Sequence, residues 1–171
     1  NDVTLNKVQS VYWIIKFSAS GVIEWQKTYG GSGSEEAYTI QQTEDSDYII
    51  AGVTNSTDGD ITDAKGDQDY WIIKLNSSGD LIWQKIFGGT QTDQPSKLLV
   101  TNDGGCIVTG RTNSINGDVI NPSSGYCGWI LKLNNLGEIE WKKCFENAVM
   151  DIQHIPSLNQ YVIIGYGQGL G

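Results

Sequence analysis

A 58-residue period runs through this chain and constrains its fold more than any other feature (71 − 13 and 129 − 71). Three segments align on it: WIIKFSASGVIEWQKTYGG (13–31), WIIKLNSSGDLIWQKIFGG (71–89) and WILKLNNLGEIEWKKCFEN (129–147). Self-similarity at a fixed period is the sequence signature of repeat architectures. Each period is therefore predicted to form one supersecondary unit. All six tryptophans fall on the period, in two sets: Trp13, Trp71 and Trp129, and Trp25, Trp83 and Trp141.

Each repeat contains four short β-rich segments. In the second repeat they span 38–43, 48–55, 70–75 and 81–87, and they are rich in Ile, Val, Tyr, Trp and Thr. Turn residues separate them, such as EDSD (44–47) and NSSG (76–79), where Gly79 is expected to take a positive φ. No helical periodicity of comparable strength is present, so the sequence predicts an all-β fold.

Four antiparallel strands per repeat predict β-propeller blades. The predicted units are a partial blade at 1–30, blades at 37–88 and 95–146, and a partial blade at 150–167. A β-solenoid usually has shorter, parallel coils, and a Greek-key sandwich does not require so regular a repeat. Two half-blades would leave sticky strand edges. We therefore expect either further blades in a longer chain or a homodimer with six blades.

The repeated pattern W-I-I-K-L…G…W-x-K-x-[FY]-G-G, followed by I-Q-Q-T-x-D-x-x-Y-I-I-A-G-x-T-N-S, resembles secreted bacterial and archaeal β-propeller repeats. Such repeats are frequent in large surface proteins of Bacteroidota, often ahead of a C-terminal secretion-sorting domain. The resemblance covers nearly the whole chain and implies an extracellular or cell-surface location, but it specifies no activity. The last copy departs from the pattern, because Glu146 and Asn147 replace Gly88 and Gly89.

The spacing G-x-x-x-W, as at Gly79 and Trp83, is also similar to that of quinoprotein propellers, whose tryptophan stacks against the neighbouring blade. A blade has two apolar faces that its neighbours must cover. Tryptophan buries a large flat area, and its N–H can still bond a carbonyl of the next blade. We therefore predict that all six tryptophans lock blades together, with a ligand platform as the alternative.

Acidic residues concentrate in the loop 55–69. Calcium takes six to eight oxygen ligands, and short loops supply them by alternating Asp with Gly. The sequence therefore predicts a weak calcium site, with a solvated acidic loop as the alternative. Asp60, with Asp2 and Asp118 at the same place in the period, is expected to cap backbone N–H groups of a turn. The candidate calcium ligands are Asp58, Asp60, Asp63, Asp67 and Asp69.

Glu35, Asp93 and Asp151 recur at the loop that leads to the innermost strand of each repeat. In a propeller this loop shares a face with 55–69, which makes the face negative and suited to cations or polar, sugar-like ligands. A glycosidase requires two carboxyl groups about 5–10 Å apart. Acids that recur for structural reasons would imitate that arrangement, so a hydrolase remains an alternative only.

Histidine and cysteine are scarce. His154, the only histidine, is expected to be a partly exposed strand residue rather than a member of a catalytic triad or a metal site. Cys106, Cys127 and Cys144 do not recur in the period. We expect free, mostly buried thiols. A single disulfide is the alternative in a secreted protein.

Composition excludes some classes of partner. The chain has 11 basic and 20 acidic side chains and a net charge of −9, which argues against nucleic acid as a partner. No stretch approaches the roughly 18 apolar residues of a membrane span. We therefore predict a non-catalytic scaffold or binding module, with a protein or glycan ligand on the acidic loop face and no cofactor other than calcium. The alternatives are a lectin-like propeller, with Tyr38 and Tyr126 as exposed aromatics, and a fragment of a quinoprotein-like or hydrolytic propeller enzyme.

Overall fold

The computed structural model describes residues 10–120 and 126–167. These residues form twelve β-strands and one 3-10 turn, Pro156–Leu158, between the last two strands. The part of the predicted first blade before residue 10 lies outside the described residues. The strands are β1 Tyr12–Phe17, β2 Ile23–Tyr29, β3 Glu35–Gln42, β4 Tyr48–Thr54, β5 Asp69–Leu75, β6 Leu81–Phe87, β7 Asp93–Val100, β8 Cys106–Thr112, β9 Cys127–Leu133, β10 Ile139–Phe145, β11 Ala148–Ile155 and β12 Gln160–Tyr166.

The strands form four antiparallel sheets, each built from strands that are consecutive along the chain. Two sheets are complete, with the orders β3-β4-β5-β6 and β7-β8-β9-β10, and two have two strands each, β1-β2 and β11-β12. This arrangement confirms the predicted all-β class and the four-stranded antiparallel unit. By the period, the strands of the β1-β2 sheet correspond to the last two strands of a complete sheet, and those of the β11-β12 sheet correspond to the first two.

Asparagine and glycine shape the turns between the third and fourth strands of the two complete sheets. In the β5–β6 turn, the Asn76 side-chain oxygen accepts the N–H groups of Ser78 and Asp80, each at 2.9 Å. Gly79 has φ +82°, a left-handed conformation that costs glycine little. The same turn recurs at Gly137, with φ +76°, so the predicted positive φ is confirmed.

The core lies between successive sheets, because the middle strands bury both of their faces. In β5, Trp71 and Ile73 pack towards the β1-β2 sheet, whereas Tyr70 and Ile72 pack towards β7-β10. Every residue of β5 and of β9 is buried. An aromatic pair recurs at each interface: the rings of Tyr12 and Trp71 are 4.4 Å apart, and those of Tyr70 and Trp129 are 4.8 Å apart. The sheets are thus stacked face to face around shared apolar layers.

A lysine recurs in the third strand of each complete sheet. It lies at the end of that strand that is next to the turn between the first and second strands. Lys74 is 7% exposed and its Nζ lies 3.3 Å from Asp47 Oδ2. Lys132 is 6% exposed and its Nζ lies 2.7 Å from Asp103 Oδ2. The aliphatic part of each lysine is covered while its ammonium group neutralises an acid of the turn.

Candidate functional site

The loops at one end of each complete sheet are held by side chains that cap consecutive backbone N–H groups. We call residues 30–35 with 54–60 the first clamp, and residues 88–93 with 112–118 the second clamp. Without these partners the loop amides would be left without hydrogen bonds. The bonds of the first clamp run from Gly30 N to Asp60 Oδ2 (3.0 Å), Gly31 N to Glu35 Oε2 (2.9 Å), Ser32 N to Asp58 Oδ1 (2.6 Å), Gly33 N to Ser56 Oγ (2.6 Å) and Ser34 N to Asn55 Oδ1 (2.6 Å).

The second clamp repeats this arrangement with different side chains. Its bonds run from Gly88 N to Asp118 Oδ2 (3.1 Å), Gly89 N to Asp93 Oδ2 (2.8 Å), Thr90 N to Asn116 Oδ1 (2.9 Å) and Gln91 N to Ser114 Oγ (2.9 Å). The repeated sequence T-N-S-x-[DN]-G-D at 54–60 and 112–118 supplies most of the acceptors. Sequence analysis missed this motif as a unit, although the position of Asp60 and Asp118 in the period was a usable signal. These aspartates cap the amides of a distant loop, about 30 residues away in sequence, and not those of their own turn.

A buried carboxylate stands at the centre of each clamp. Glu35 is 1% exposed and accepts hydrogen bonds from Thr54 Oγ1 (2.8 Å), Ser56 Oγ (2.5 Å) and Gly31 N. Asp93 is fully buried and takes the equivalent bonds from Thr112 Oγ1, Ser114 Oγ and Gly89 N. Both acids are therefore occupied within the protein, as structural acceptors.

Asp69 adds a second buried carboxylate beside Asp93. Its Oδ2 accepts the N–H groups of Lys65 (2.6 Å) and Gly66 (3.1 Å), whereas its Oδ1 is buried and has no hydrogen-bond partner. A Cβ atom on Gly88 would collide with both Asp69 Oδ1 and Asp93 Oδ2, so these two oxygens face the same position. Burial raises the pKa of Asp69 to about 6, and the nearby Asp93 charge adds to the rise.

This carboxylate pair does not form a glycosidase site. Asp69 and Asp93 are both 0% exposed, and a substrate has to reach the two acids. Burial also raises the pKa of Asp93, against the hydrogen bonds that it accepts. The pair is thus a buried polar cluster, and its protonation state affects the stability of the fold.

The expectation that Asp151 repeats the role of Glu35 and Asp93 is wrong. A β-bulge follows Pro95 in β7 and Val149 in β11, and alignment on it places Asn147 at the position of Asp93. Asp151 lies opposite Ile164, at the level of Lys97, and its Oδ1 accepts the N–H of Ile152. The shift arises because the loop between β10 and β11 is shorter than the loop between β6 and β7.

The five aspartates of the predicted calcium loop do not converge on one point. Asp58 and Asp60 belong to the first clamp, and Asp69 lies buried beside Asp93. Asp63 and Asp67 are exposed, at separate places along the loop. Within residues 10–120 and 126–167, no group of three or more His, Cys, Asp or Glu side chains is arranged to hold a metal ion. Calcium binding therefore stays a prediction without a preformed ligand set.

The tryptophans divide into those between sheets and those at the two ends of the stack. The indole N–H of Trp25 donates to Ser77 O, and that of Trp83 donates to Asn135 O, both at 3.1 Å and both in the turn of the next sheet. Trp71 and Trp129 are buried. Trp13 and Trp141 are exposed, by 63% and 39%. Two tryptophans thus bridge successive sheets, two fill the core, and two lie on surfaces without a neighbouring sheet in the described part of the chain.

A line of hydrogen-bonded polar and aromatic side chains crosses the surface at the clamp end of three successive sheets. We call it the tyrosine–arginine strip; it consists of Glu36, Tyr38, Gln94, Arg111, Tyr126 and Tyr166. Tyr38 Oη donates to Glu36 Oε2 (3.1 Å), Gln94 Nε2 donates to Tyr38 Oη (3.0 Å), and Arg111 Nε donates to Gln94 Oε1 (2.9 Å). The hydroxyls of Tyr126 and Tyr166 are 3.1 Å apart.

Arg111 is the centre of this strip and the only arginine of the chain. Hydrogen bonding to the Tyr126 hydroxyl raises the pKa of Arg111, and Tyr166 contributes in the same direction. The three tyrosines are 39%, 39% and 57% exposed. The strip therefore presents to solvent a planar guanidinium with fixed hydrogen-bond partners, flanked by aromatic rings. Sequence analysis named Tyr38 and Tyr126 but missed Gln94, Arg111 and Tyr166, which do not recur in the period.

The expectation of free thiols is wrong for two of the three cysteines. Cys127 and Cys144 form a disulfide, with a Cα–Cα distance of 5.8 Å, whereas Cys106 is free and buried. Cys144 lies opposite Trp129, two residues along β9 from Cys127, so the two thiols meet diagonally on one face of the sheet. The period hid this pair because its counterparts in the preceding sheet are Asp69 and Ile86.

His154 lies in β11, where it is half-buried and its ring stacks on Tyr161 with the ring centres 5.0 Å apart. In the described part of the chain, no helix is long and apolar enough to cross a membrane. A scan against models of known protein families finds no match for this chain, and a search of curated proteins finds none either.

Proposed function

We propose that the repeated sheets are blades of a β-propeller. Three observations support this arrangement: the complete sheets have four antiparallel strands in chain order, successive sheets pack face to face, and the first strands of successive sheets contact one another. The last point places β3, β7 and β11 on one side of the stack, where the axis of a propeller would run. An experimental structure in which the sheets radiate from a common axis would support the proposal, whereas a straight stack of sheets would contradict it.

We infer that the protein is a non-catalytic binding module and that its ligand is a glycan that carries a carboxylate group. The tyrosine–arginine strip is the observation that carries this inference. Tyrosine faces pack against sugar rings, and the hydroxyls and the Gln94 amide match the hydroxyl groups of a glycan. The positive charge of the Arg111 guanidinium suits a carboxylate, which would bind the N–H groups that Gln94 leaves open, since Nε and Nη2 both donate to Gln94 Oε1.

An extracellular or cell-surface location accords with this function. Disulfides persist in oxidising compartments, and Cys127 and Cys144 are joined in the structure. The enzyme alternatives lack support among the described residues. Asp69 and Asp93 are buried, Asp103 and Glu140 both pair with the ammonium group of Lys132, and the histidine stacks on a tyrosine.

Titration of the protein with an oligosaccharide of uronic acids tests the proposal, with a neutral oligosaccharide of the same length for comparison. We expect saturable binding of the acidic sugar, seen by calorimetry, and at least roughly tenfold weaker binding in Arg111→Ala, which corresponds to about 1.4 kcal/mol. Lys142→Ala is the matched control, because it removes one partly exposed cation from β10, two strands away from Arg111.

The two variants separate specific recognition from general attraction. If Arg111→Ala and Lys142→Ala weaken binding equally, each variant acts only by making the net charge of −9 more repulsive to an acidic sugar, and the strip is not the site. If neither sugar binds to the folded wild-type protein, the proposal that the strip recognises an acidic glycan is wrong.

A further inference from the structure

In each two-stranded sheet, one strand has an edge that is paired in the complete sheets but unpaired among the described strands: β1 in one sheet and β12 in the other. The two edges are complementary, because β1 corresponds to a third strand and β12 to a second strand of a complete sheet. In the complete sheets the second strand pairs on both sides: β4 pairs with β3 and β5, and β8 pairs with β7 and β9. β12 corresponds to these second strands but pairs only with β11 among the described strands. β1 corresponds to the third strands β5 and β9 but, among the strands that the structure describes, pairs only with β2. Each open edge therefore lacks the kind of strand that the other provides.

A glycine–tryptophan pair sets the register in both complete sheets. Gly52 lies opposite Trp71, and Gly110 lies opposite Trp129. The 58-residue period makes Trp13 of β1 the counterpart of these tryptophans. Gly165 of β12 is the counterpart of the glycines, because it lies opposite Val149 as Gly110 lies opposite Pro95. β1 thus carries the tryptophan, and β12 the glycine, of a pair that the two-stranded sheets do not form.

Each open edge also borders an apolar groove. The first groove, of about 300 Å³, runs along β1, and the second, of about 370 Å³, runs between the β7-β10 sheet and β12. The second groove lies where Trp129 and Leu131 pack in the preceding interface, so its natural occupants are Trp13 and Ile15 of a β1 strand. The first groove is lined by Trp13, Ile15, Tyr38, Ile40 and Ile50 among others, and the second by Ile130, Trp141, Lys143, Phe145, Ile152, Tyr161 and Ile163.

Several side chains of β1 and β12 are far more exposed than their counterparts in the complete sheets. Trp13 and Phe17 of β1 are 63% and 65% exposed, whereas Trp129 and Leu133 at the same positions of β9 are 1% and 0% exposed. Every residue of β12 is exposed, including Ile164 at 62%. Apolar strands with unpaired edges are templates for pairing with another chain.

We propose that β1 of a second copy of this chain pairs antiparallel with β12, and that the two copies exchange this contact reciprocally. The register places Gly165 opposite the partner's Trp13, Ile163 opposite the partner's Ile15 and Val162 opposite the partner's Lys16. Each contact completes a four-stranded sheet in the order β11-β12-β1-β2, with its last two strands from the other copy. Trp13, Ile15 and Phe17 fill the second groove, and Val162 and Ile164 fill the first.

A second copy is the occupant that covers every open edge with strands that this chain itself contains. One copy supplies both a β1 edge and a β12 edge, so a two-fold symmetric pair leaves neither edge open in either copy. Within one chain, two complete sheets separate β1 from β12, and these strands do not pair with each other. The assembly has four complete sheets, two from each copy, and two composite sheets, one from each pair of edges. The total of six is a usual number of propeller blades.

Disulfide trapping between two variants, each with one added cysteine and with the buried free Cys106 replaced by alanine, tests the register and the exchange together. Lys16→Cys and Val162→Cys are purified separately, mixed and oxidised. We expect a cross-linked species of twice 18.7 kDa in the mixture. The control mixture of Lys16→Cys with Tyr166→Cys should not cross-link, because the two positions are four residues out of register, about 13 Å at 3.3 Å per residue.

The double variant Lys16→Cys/Val162→Cys distinguishes pairing between copies from pairing within one chain. A cross-linked monomer of the double variant, with no cross-link in the mixture of single variants, would overturn the proposal. The same holds for a wild-type protein that remains an 18.7 kDa monomer by native mass spectrometry at high concentration.

A charge substitution at the open edge provides an independent test. Ile164→Lys alters a side chain that is 62% exposed in one copy, so folding of the single chain should be unaffected. In the paired state this lysine would be buried in the first groove, and we expect at least a tenfold rise in the dimer dissociation constant. Leu136→Lys, at a residue 61% exposed in the β9–β10 turn, is the matched control and should leave the dimer intact. Equal dimerisation of the two variants would refute the proposed interface.

Discussion

The same sequence lies in opposite environments in β1 and β5. Both strands carry the run W-I-I-K, yet Trp71 is 0% exposed and Trp13 is 63% exposed. β5 has a paired strand on each side and a packed sheet on each face, whereas β1 has one paired strand and one packed face. Strand formation is thus a local property of this run, while burial depends on the neighbouring strands and sheets. The same tryptophan is a core residue in one place and an interaction surface in the other.

Truncation of these two tryptophans should give the largest difference between the two regions. Trp71→Ala is expected to lower the free energy of unfolding by roughly 3–5 kcal/mol, the range for large aromatic side chains in cores. Trp13→Ala should cost less than about 1 kcal/mol in the single chain, since the side chain is mostly exposed. Urea denaturation at low protein concentration measures both. Equal losses for the two variants would mean that Trp13 is buried in the single chain too.

The disulfide gives the next contrast, between the two complete sheets. It joins β9 and β10, whereas the equivalent strands β5 and β6 are held by packing and hydrogen bonds alone. Replacing Cys127 and Cys144 together by alanine should destabilise the protein by about 2–4 kcal/mol, as for disulfides that close short loops. Cys106→Ala, which removes a buried free thiol, is the control for thiol loss. Reduction that leaves the melting temperature unchanged would contradict this expectation.

Periodicity explains which parts of the structure the sequence could predict. Strands, turns and sheet size follow from residues that recur, such as the Trp71 and Gly79 series, because each copy repeats the same local preferences and the same contacts. Features that depend on a single copy were missed or misjudged. The disulfide, Arg111 and the shorter loop before β11 have no counterpart along the period, and the misplacement of Asp151 came from counting 58 residues across that shorter loop.

The candidate site was harder to predict than the fold for the same reason. Tyr38 and Arg111 come from different sheets and are joined through Gln94, so their proximity depends on how successive sheets stack. The acidic loop, by contrast, suggested a cation site by composition, but Asp58 and Asp60 accept hydrogen bonds from backbone amides of the first clamp, and Asp69 accepts those of its own loop. Hydrogen-bond demand of the loop backbone explains those aspartates without a metal ion.

The two clamps differ in one buried carboxylate. Asp69 lies beside the second clamp, whereas Val11 occupies the equivalent position beside the first. The pKa of Asp69 in the folded protein is about 6, above the value of about 3.9 in an unfolded chain. The folded state therefore binds this proton more tightly, and stability from this group is present at pH 4 and is lost as the pH rises through 6. Asp69→Asn should remove that loss and stabilise the protein at pH 7.5 by on the order of 2 kcal/mol. At pH 4 the gain should disappear, and Asp63→Asn, an exposed loop control, should show no pH-dependent gain.

The smallest expected effect concerns the ion pair between Asp103 and Lys132. Its contribution to stability should depend on pH with the opposite sign to that of Asp69. Burial disfavours the Asp103 carboxylate, but hydrogen bonds from Lys132, Thr101 and Gly105 outweigh it and lower the pKa to about 2. Stability from this group is therefore present above about pH 4 and is lost as the pH falls through 2. Asp103 is half-exposed, so solvent screening limits its contribution to about 1 kcal/mol or less. Asp103→Asn should cost that amount at pH 6 and nothing at pH 2, and urea denaturation at both values measures it. A variant that is equally destabilised at both pH values would show that the side chain acts by its shape and its turn hydrogen bonds, and that its charge adds nothing.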